Sequence, residues 1–83
     1  MLHKKQEIVY PTKWHYKIVC TDEERLKLEL FDLLDKKYTI EHSKVSREGK
    51  YKSFLVVLEV ESADERDSIY RGIKALESVV YVL

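Results

Sequence analysis

One stretch of the chain decides its fold: Gly49-Lys50-Tyr51-Lys52-Ser53-Phe54-Leu55-Val56-Val57-Leu58-Glu59-Val60. It reads as one long strand, in which successive side chains point to opposite faces of a sheet. One parity is apolar without interruption from Phe54 to Val60, whereas the other carries only the apolar pair Leu55 and Val57. We expect the first parity to face the core. The second then lies on a sheet face that no other segment obviously covers, which predicts a surface for a partner or a ligand.

Length and composition indicate one small, ordered domain. The chain has 83 residues, of which 45% are hydrophobic and 36% charged, with two glycines and one proline. This composition is typical of a folded domain rather than of a linker or a disordered tail. We assign residues 1–9 to an N-terminal arm and residues 10–83 to a single domain.

The apolar segments are too short for a membrane. The longest uninterrupted runs have five residues, whereas a spanning helix needs about 20. The basic N-terminus is not followed by the apolar segment of a secretory signal. We therefore expect a cytoplasmic protein with no membrane partner.

Periodicity and helix-start signals divide the chain into four strands and two helices. Alternating or continuous apolar runs predict strands at residues 13–20, 38–45, 49–60 and 79–83. Thr21 and Ser62 each begin a Ser/Thr-x-x-Glu capping box, which predicts a helix start. A turn is expected at residues 46–49, where Gly49 can adopt a positive φ without steric cost.

Each predicted helix has an apolar stripe that we expect to pack on the sheet. The stripes are Leu26, Leu30, Leu33 and Leu34 in the first helix and Ile69, Tyr70, Ile73 and Leu76 in the second. Leu28 points away from its stripe and is a candidate surface residue. Three small residues of the second helix, Ser68, Gly72 and Ala75, are expected to let the first helix approach closely.

The element order is therefore βαββαβ, which is the order of the ferredoxin-like split βαβ fold of the α+β class. Right-handed crossovers place both helices on one face of a four-stranded antiparallel sheet with strand order 4-1-3-2. The opposite face is left bare. Its predicted interaction surface consists of the apolar residues Val19, Leu55, Val57, Val80 and Val82, rimmed by Lys17, Tyr51 and Lys52.

Several short motifs lie in this frame: Tyr10-Pro11 followed by Tyr16-Lys17-Ile18, Ser46-x-x-Gly49-x-Tyr51-x-Ser53, Ile69-Tyr70-x-x-Ile73, and Val79-x-x-Val82-Leu83. Together they resemble the YbeD-like family of small uncharacterised bacterial proteins, over residues 9–83. The resemblance implies a fold similar to ACT regulatory domains and no established activity. Cys20 stands where the family pattern has a glycine, and this departure weakens an ACT-like effector site before the first helix.

Catalysis is the least supported class of function. The positions of His15 and Cys20 in one strand differ by five, an odd number. Their side chains therefore leave opposite faces of the sheet and cannot form a thiol–imidazole pair there. We expect Cys20 to be a small buried apolar residue and His42 a structural imidazole. A single cysteine gives neither a disulfide nor a zinc-ligand spacing. The sequence therefore predicts no enzyme, no catalytic or metal-binding residue and no cofactor.

Three functions remain open for the bare face. It could bind a protein partner or a second copy of the chain, it could belong to an ACT-like regulatory domain that binds a small-molecule effector, or it could bind RNA. RNA-recognition modules of this strand order stack bases on aromatic residues, and parity leaves only Tyr51 in such a position. The formal net charge is also zero, which gives no overall attraction to phosphate. The aliphatic surface favours protein contact, and a nucleic-acid partner is not favoured.

Overall fold

The computed structural model of the protein describes residues 8–45 and 50–83, and its elements follow the predicted order. They are β1 (Thr12–Cys20), α1 (Glu23–Leu33), β2 (Tyr38–Val45), β3 (Lys52–Val60), α2 (Ala63–Lys74) and β4 (Val79–Val82). The turn predicted at residues 46–49 lies outside the described residues. Neither helix of the described chain combines the length and the apolar content that crossing a bilayer requires.

The four strands form one antiparallel sheet of order β2-β3-β1-β4. This is the predicted 4-1-3-2 order, and the ferredoxin-like α+β fold is confirmed. β3 lies inside the sheet and pairs with β1 along its whole length, from Val60 opposite Thr12 to Lys52 opposite Cys20. Its other edge pairs with β2, beginning with Leu58 opposite Tyr38. β3 is therefore a central strand, and its alternating side chains lie in the middle of both faces of the sheet.

The core lies between the helices and one face of the sheet. On β3, every second residue from Phe54 to Val60 is at most 3% exposed, as its parity predicts. The core cluster joins three of these residues to β1, β4 and both helices, and its buried members are Tyr16, Ile18, Cys20, Leu26, Leu30, Leu34, Phe54, Val56, Leu58, Ile73 and Val82. Burying a large aliphatic or aromatic side chain contributes about 1.5 to 3 kcal/mol. The even parity of β1 and β3 thus fixes which sheet face the helices cover.

Helix α1 begins one residue later than its predicted capping box. The N-cap is Asp22, whose carboxylate accepts a hydrogen bond from the backbone N–H of Arg25 at 3.1 Å. Thr21 is instead held toward β4, because its backbone N–H donates to the carbonyl of Ser78 at 3.1 Å. A carboxylate at this position also interacts favourably with the positive end of the helix dipole.

Helix α2 begins at the predicted cap. The hydroxyl of Ser62 accepts from the backbone N–H of Glu65 at 3.1 Å, and the Glu65 carboxylate accepts from the backbone N–H of Glu61 at 2.7 Å. Lys36 lies 2.9 Å from the same carboxylate. The hydrogen bond from Lys36 and the one from Glu61 hold the pKa of Glu65 below its usual value.

A buried tyrosine ties β1 to α2. The hydroxyl of Tyr16, which is 2% exposed, donates to the backbone carbonyl of Arg66 at 2.7 Å. Burial raises the pKa of Tyr16 to about 12, so the phenol remains a donor at neutral pH. The guanidinium of Arg66 lies 4.8 Å from the ring of Trp14 and donates to the hydroxyl of Tyr10 at 3.2 Å. These contacts hold Tyr10, Trp14 and Tyr16 against Arg66 in the first turn of α2.

A second connection holds the segment before β4 against α1. The carboxylate of Glu29 accepts from the Ser78 hydroxyl at 2.6 Å and from the Ser78 backbone N–H at 3.3 Å. Partial burial raises the pKa of Glu29, but the bonds from Ser78 and Arg25 outweigh it and lower the pKa below its usual value. Ser78 is 4% exposed. The start of β4 is therefore fixed by polar contacts on the helical side.

The two helices meet where the sequence predicts a close approach. A Cβ added at Gly72 would lie 2.9 Å from Cδ1 of Leu33, so a larger residue there would displace that leucine. Leu28 points to solvent as predicted and is 69% exposed, and Phe31, one turn further along α1, is 73% exposed. The small residue thus serves helix packing, while two apolar side chains remain on the outer surface of α1.

Candidate interaction face

The side of the sheet that faces away from the helices is called here the open face. Its composition follows from the strand register, because residues directly opposite each other in antiparallel strands share a face. The described members are Thr39 and Glu41 from β2, Ser53, Leu55, Val57 and Glu59 from β3, Lys13, His15, Lys17 and Val19 from β1, and Tyr81 with Leu83 at the end of the chain.

The centre of the open face is apolar. Leu55 and Val57 are half-buried although no element formed by residues 8–45 and 50–83 covers them. Val19 is buried, with 8% of its surface exposed, although it is separate from the main core cluster on the helical side. Its neighbour across the sheet is Tyr81, which is 50% exposed. The register therefore brings Val19, Leu55 and Val57 to one face of the sheet, where Leu55 and Val57 retain part of their exposure.

A β-bulge changes which residues β4 contributes. Cys20 pairs with Val79, but the preceding residue Val19 pairs with Tyr81, so Val80 is an extra residue without a partner on β1. The predicted alternation along β4 is therefore interrupted at its second residue. Val80 is 48% exposed.

The predicted position of Val82 on the open face is wrong for the same reason. After the bulge, Val82 lies opposite Ile18, and it is 6% exposed within the core cluster. Tyr81 takes the open side instead. Leu83 joins it, because its backbone exchanges two hydrogen bonds with Lys17, at 2.8 and 3.2 Å. Tyr81 and Leu83 are therefore the two residues at the end of the chain that lie on the open face in place of the predicted Val82.

Lys52 also does not lie where the sequence analysis placed it. It pairs with the core residue Cys20, so it is on the helical side of the sheet, and the period of two in β3 forbids it from sharing a face with Leu55. There it lines a hollow of about 620 Å³ at the start of α1. Tyr51 precedes β3, is 37% exposed, and has the ammonium of Lys50 5.4 Å from its ring centre. Tyr51 thus has no cross-strand partner among the described residues that assigns it to either face.

The charges of the open face flank its apolar centre. Leu55 lies between Glu41 on β2 and Lys17 on β1. Further along the sheet, Glu59 and Lys13 are directly opposite each other. A shallow hollow of about 290 Å³ opens at that end, and Lys13, Lys37, Tyr38, Thr39, Val57, Leu58 and Glu59 line it. At the level of Leu55, the apolar strip of Leu55 and Val57 on β3 therefore has Glu41 on its β2 side and Lys17 on its β1 side.

The residues considered for catalysis lie apart. Cys20 is fully buried, and burial raises the pKa of its thiol. His15 lies opposite Val57 on the open face, whereas Cys20 lies on the helical side. The sheet therefore separates the thiol of Cys20 from the imidazole of His15, as predicted. His42 lies on the helical side with its ring 4.6 Å from that of Phe54, but its side chain is 56% exposed. Residues 8–45 and 50–83 hold no group of three or more potential metal ligands.

Comparisons with known proteins give relatives without an assigned activity. Residues 5–83 match the model of a family described as a protein of unknown function, DUF493. An uncharacterized protein of Helicobacter pylori is 33% identical over 81 residues, which cover 96% of this chain and 94% of the relative. An uncharacterized protein of Campylobacter jejuni is 36% identical over 76 residues, or 89% and 86% of the two chains. The solution structure of the H. pylori protein HP0495 superimposes with a TM-score of 0.83 at 33% identity, covering 96% of this chain and 89% of that one.

Proposed function

This chain belongs to the DUF493 family of proteins of unknown function, and on that premise we propose that it is a non-catalytic module that acts by protein–protein contact through the open face. The observation that supports the proposal is the half-buried apolar strip of Leu55 and Val57, which lies on the same face as the buried Val19 and has no covering element in the described chain. Apolar surface of this kind is stabilised when a partner removes it from water, by about 25 cal/mol per Å².

The arrangement of charge supports a protein partner over RNA. Glu41 and Glu59 share the open face with its lysines, and both would repel phosphate. The described aromatic residue that register places on the face is Tyr81, at the edge of the sheet beside Val19. RNA-recognition modules rely on several stacked aromatic platforms. A mixed-charge rim around an aliphatic centre is the pattern of a protein interface.

A regulatory domain that binds a small molecule is the second candidate. The resemblance to YbeD-like proteins and to ACT domains points to the loop before α1, where Thr21, Asp22, Glu23, Lys27 and Lys52 line the larger hollow. A metabolite that raises the melting temperature of the chain would favour this candidate. A cytoplasmic location is part of the proposal for either function.

The proposal is tested with the double variant Leu55→Lys/Val57→Lys. Both side chains are half-buried on the solvent side of β3, so lysines can extend into water and the chain should still fold. We expect the variant to lose the proteins that co-purify with the tagged wild-type chain from its native cell, and to lose any concentration-dependent association in sedimentation. Leu28→Lys, the same change on the outer surface of α1, serves as the control and should leave both unchanged. Identical behaviour of the double variant and the wild type would contradict the proposal.

A further inference from the structure

We infer that the open face is covered by a second copy of this chain, in a two-fold pair of sheets packed face to face. The inference rests on the proposed contact function of the same face. It follows from the charges on either side of Leu55 and from the symmetry that a pair of identical surfaces must obey. In a two-fold interface the same patch is used by both copies, so every contact occurs twice.

The decisive row runs across three strands. Glu41, Leu55 and Lys17 are cross-strand neighbours, in that order, on β2, β3 and β1. With strands about 4.8 Å apart, the carboxylate side and the ammonium side of the row are separated by roughly 10 Å between Cα atoms. Among the side chains of residues 8–43 and 50–83, neither Glu41 nor Lys17 takes part in an ion pair. The row therefore presents an opposite charge on each side of an apolar centre.

One direction of the two-fold axis matches this row to itself. An axis that runs along β3 places Leu55 on Leu55 of the second copy, and Glu41 over Lys17 of the second copy, twice. The next residue of the same parity, Val57, then lies beside its own equivalent, and beyond it Glu59 faces Glu59 of the second copy with Lys13 beside each of them. Sheets that pack face to face with nearly aligned strands are about 10 Å apart, which the long Glu and Lys side chains can bridge.

Other directions of the axis are unfavourable. An axis across the strands at Leu55 would place Glu41 over Glu41 and Lys17 over Lys17, and like charges in an interface are repelled. An axis that runs between β3 and β1 would place Leu55 over Lys17 and Val57 over His15, so the apolar strip would meet charged or polar side chains. The row of Glu41, Leu55 and Lys17 thus favours the pair centred on β3, and Lys13, which lies directly opposite Glu59 in each copy, offsets the single like-charge contact.

The area of contact sets the strength of the pair. Three overlapping strands at about 4.8 Å, with nine residues in β3 at about 3.3 Å, give roughly 14 by 30 Å, or on the order of 400 Å² per copy. Twice this area is below the ~1,200 Å² that specific stable interfaces bury. We therefore expect a reversible dimer with a Kd between micromolar and millimolar, in which association costs offset most of the apolar gain.

The test is a charge exchange across the interface, measured by sedimentation equilibrium of the full chain from micromolar to millimolar concentration. Glu41→Lys and Lys17→Glu alone each replace two attractive contacts with two repulsive ones, and each should raise the Kd about tenfold. The double variant Glu41→Lys/Lys17→Glu restores opposite charges and should return the Kd to within about threefold of the wild type. Asp32→Lys, a charge reversal on the exposed surface of α1, should leave the Kd unchanged.

Three results would overturn the inference. A chain that stays monomeric at every concentration has no second copy on its face, whereas a loss of co-purifying proteins in Leu55→Lys/Val57→Lys would still uphold the contact function. If the double variant Glu41→Lys/Lys17→Glu does not recover the Kd of the wild type, Glu41 and Lys17 do not face each other in the dimer. Assemblies larger than a dimer would also contradict the inference if the Leu28→Lys substitution abolished them. In that case Leu28 and Phe31 on α1 would contact the sheet of the next copy, head to tail. A thermal-unfolding midpoint for each variant shows that a changed Kd does not reflect loss of the fold.

Discussion

Val82→Asp is expected to lower the free energy of unfolding by about 3 to 4 kcal/mol, whereas Tyr81→Asp should lower it by only about 1 kcal/mol. Val82 is 6% exposed and packs in the core opposite Ile18, so an aspartate there would be a buried charge without a partner. Tyr81 is 50% exposed on the open face, where a carboxylate remains in water. The difference in lost stability between the two variants arises from the bulge at Val80. Without the bulge, uninterrupted alternation along β4 would place Tyr81 in the core and Val82 on the open face.

Urea unfolding of the two variants, followed by circular dichroism, measures this difference. Each variant is compared with the wild type at the same low protein concentration, so that association does not contribute to the midpoint. Similar slopes with separated midpoints would show a change in stability alone. If Tyr81→Asp proved the more destabilising of the two, β4 would lack the bulge and the simple parity of residues 79–83 would be correct.

Phe54→Ala should mainly destabilise the fold and Leu55→Ala should mainly weaken association, although the residues are adjacent in β3. Phe54 is 1% exposed beneath the helices, and its truncation should destabilise the domain by about 3 to 5 kcal/mol. Native domains of this size have a total stability of about 4 to 12 kcal/mol, so much of the stability would be lost. Leu55 is half-buried on the other face, and its truncation should cost about 1 kcal/mol in the monomer while weakening association.

Two measurements distinguish Phe54→Ala from Leu55→Ala. Urea unfolding gives the stability of the monomer, and sedimentation gives the association. Val56→Ala is a matched control for the core parity, since Val56 is fully buried next to both positions, and it should behave like Phe54→Ala in direction. A variant of Leu55 that destabilised the fold as much as Phe54→Ala would show that the open face is covered by the chain itself.

Regular alternation explains how much of the fold could be predicted. β3 pairs with β1 residue by residue over its whole length, so the parity read from Phe54 and Leu55 holds from one end to the other. The parity of β1 follows from the same ladder and places Val19 and Lys17 on the open face. The order of elements then leaves one face of the sheet without helices. These features depend on local periodicity, which a single sequence contains.

The errors arise where the register depends on contacts distant in sequence. Residues 79–83 are apolar at every position, so their parity has no internal signal, and the hydrogen bonds of Thr21 and Glu29 with Ser78 fix the strand start from outside. The bulge opposite Val19 and Cys20 then places Tyr81 on the open face. Lys52 is a different case. Its even parity with the core residues of β3 was sufficient to place it on the helical side.

The start of α1 shows how two acceptable signals compete. Both Thr21 and Asp22 are good N-cap residues, and the sequence favours Thr21 because Glu24 stands three positions later. In the structure the backbone N–H of Thr21 is bonded to Ser78, and Asp22 caps the helix. A contact between segments more than 50 residues apart thus decides a choice that local spacing leaves balanced.

Association through the open face is tested most directly by amide chemical shifts in a dilution series of the wild-type chain, from the most concentrated solution attainable downward. We expect concentration-dependent shifts at Leu55, Val57, Lys17 and Glu41, with constant shifts around Leu28 on α1. The shifts should follow one binding curve, because all arise from the same dimer. Spectra that do not change with concentration, or changes centred on α1, would contradict burial of the sheet face between two copies.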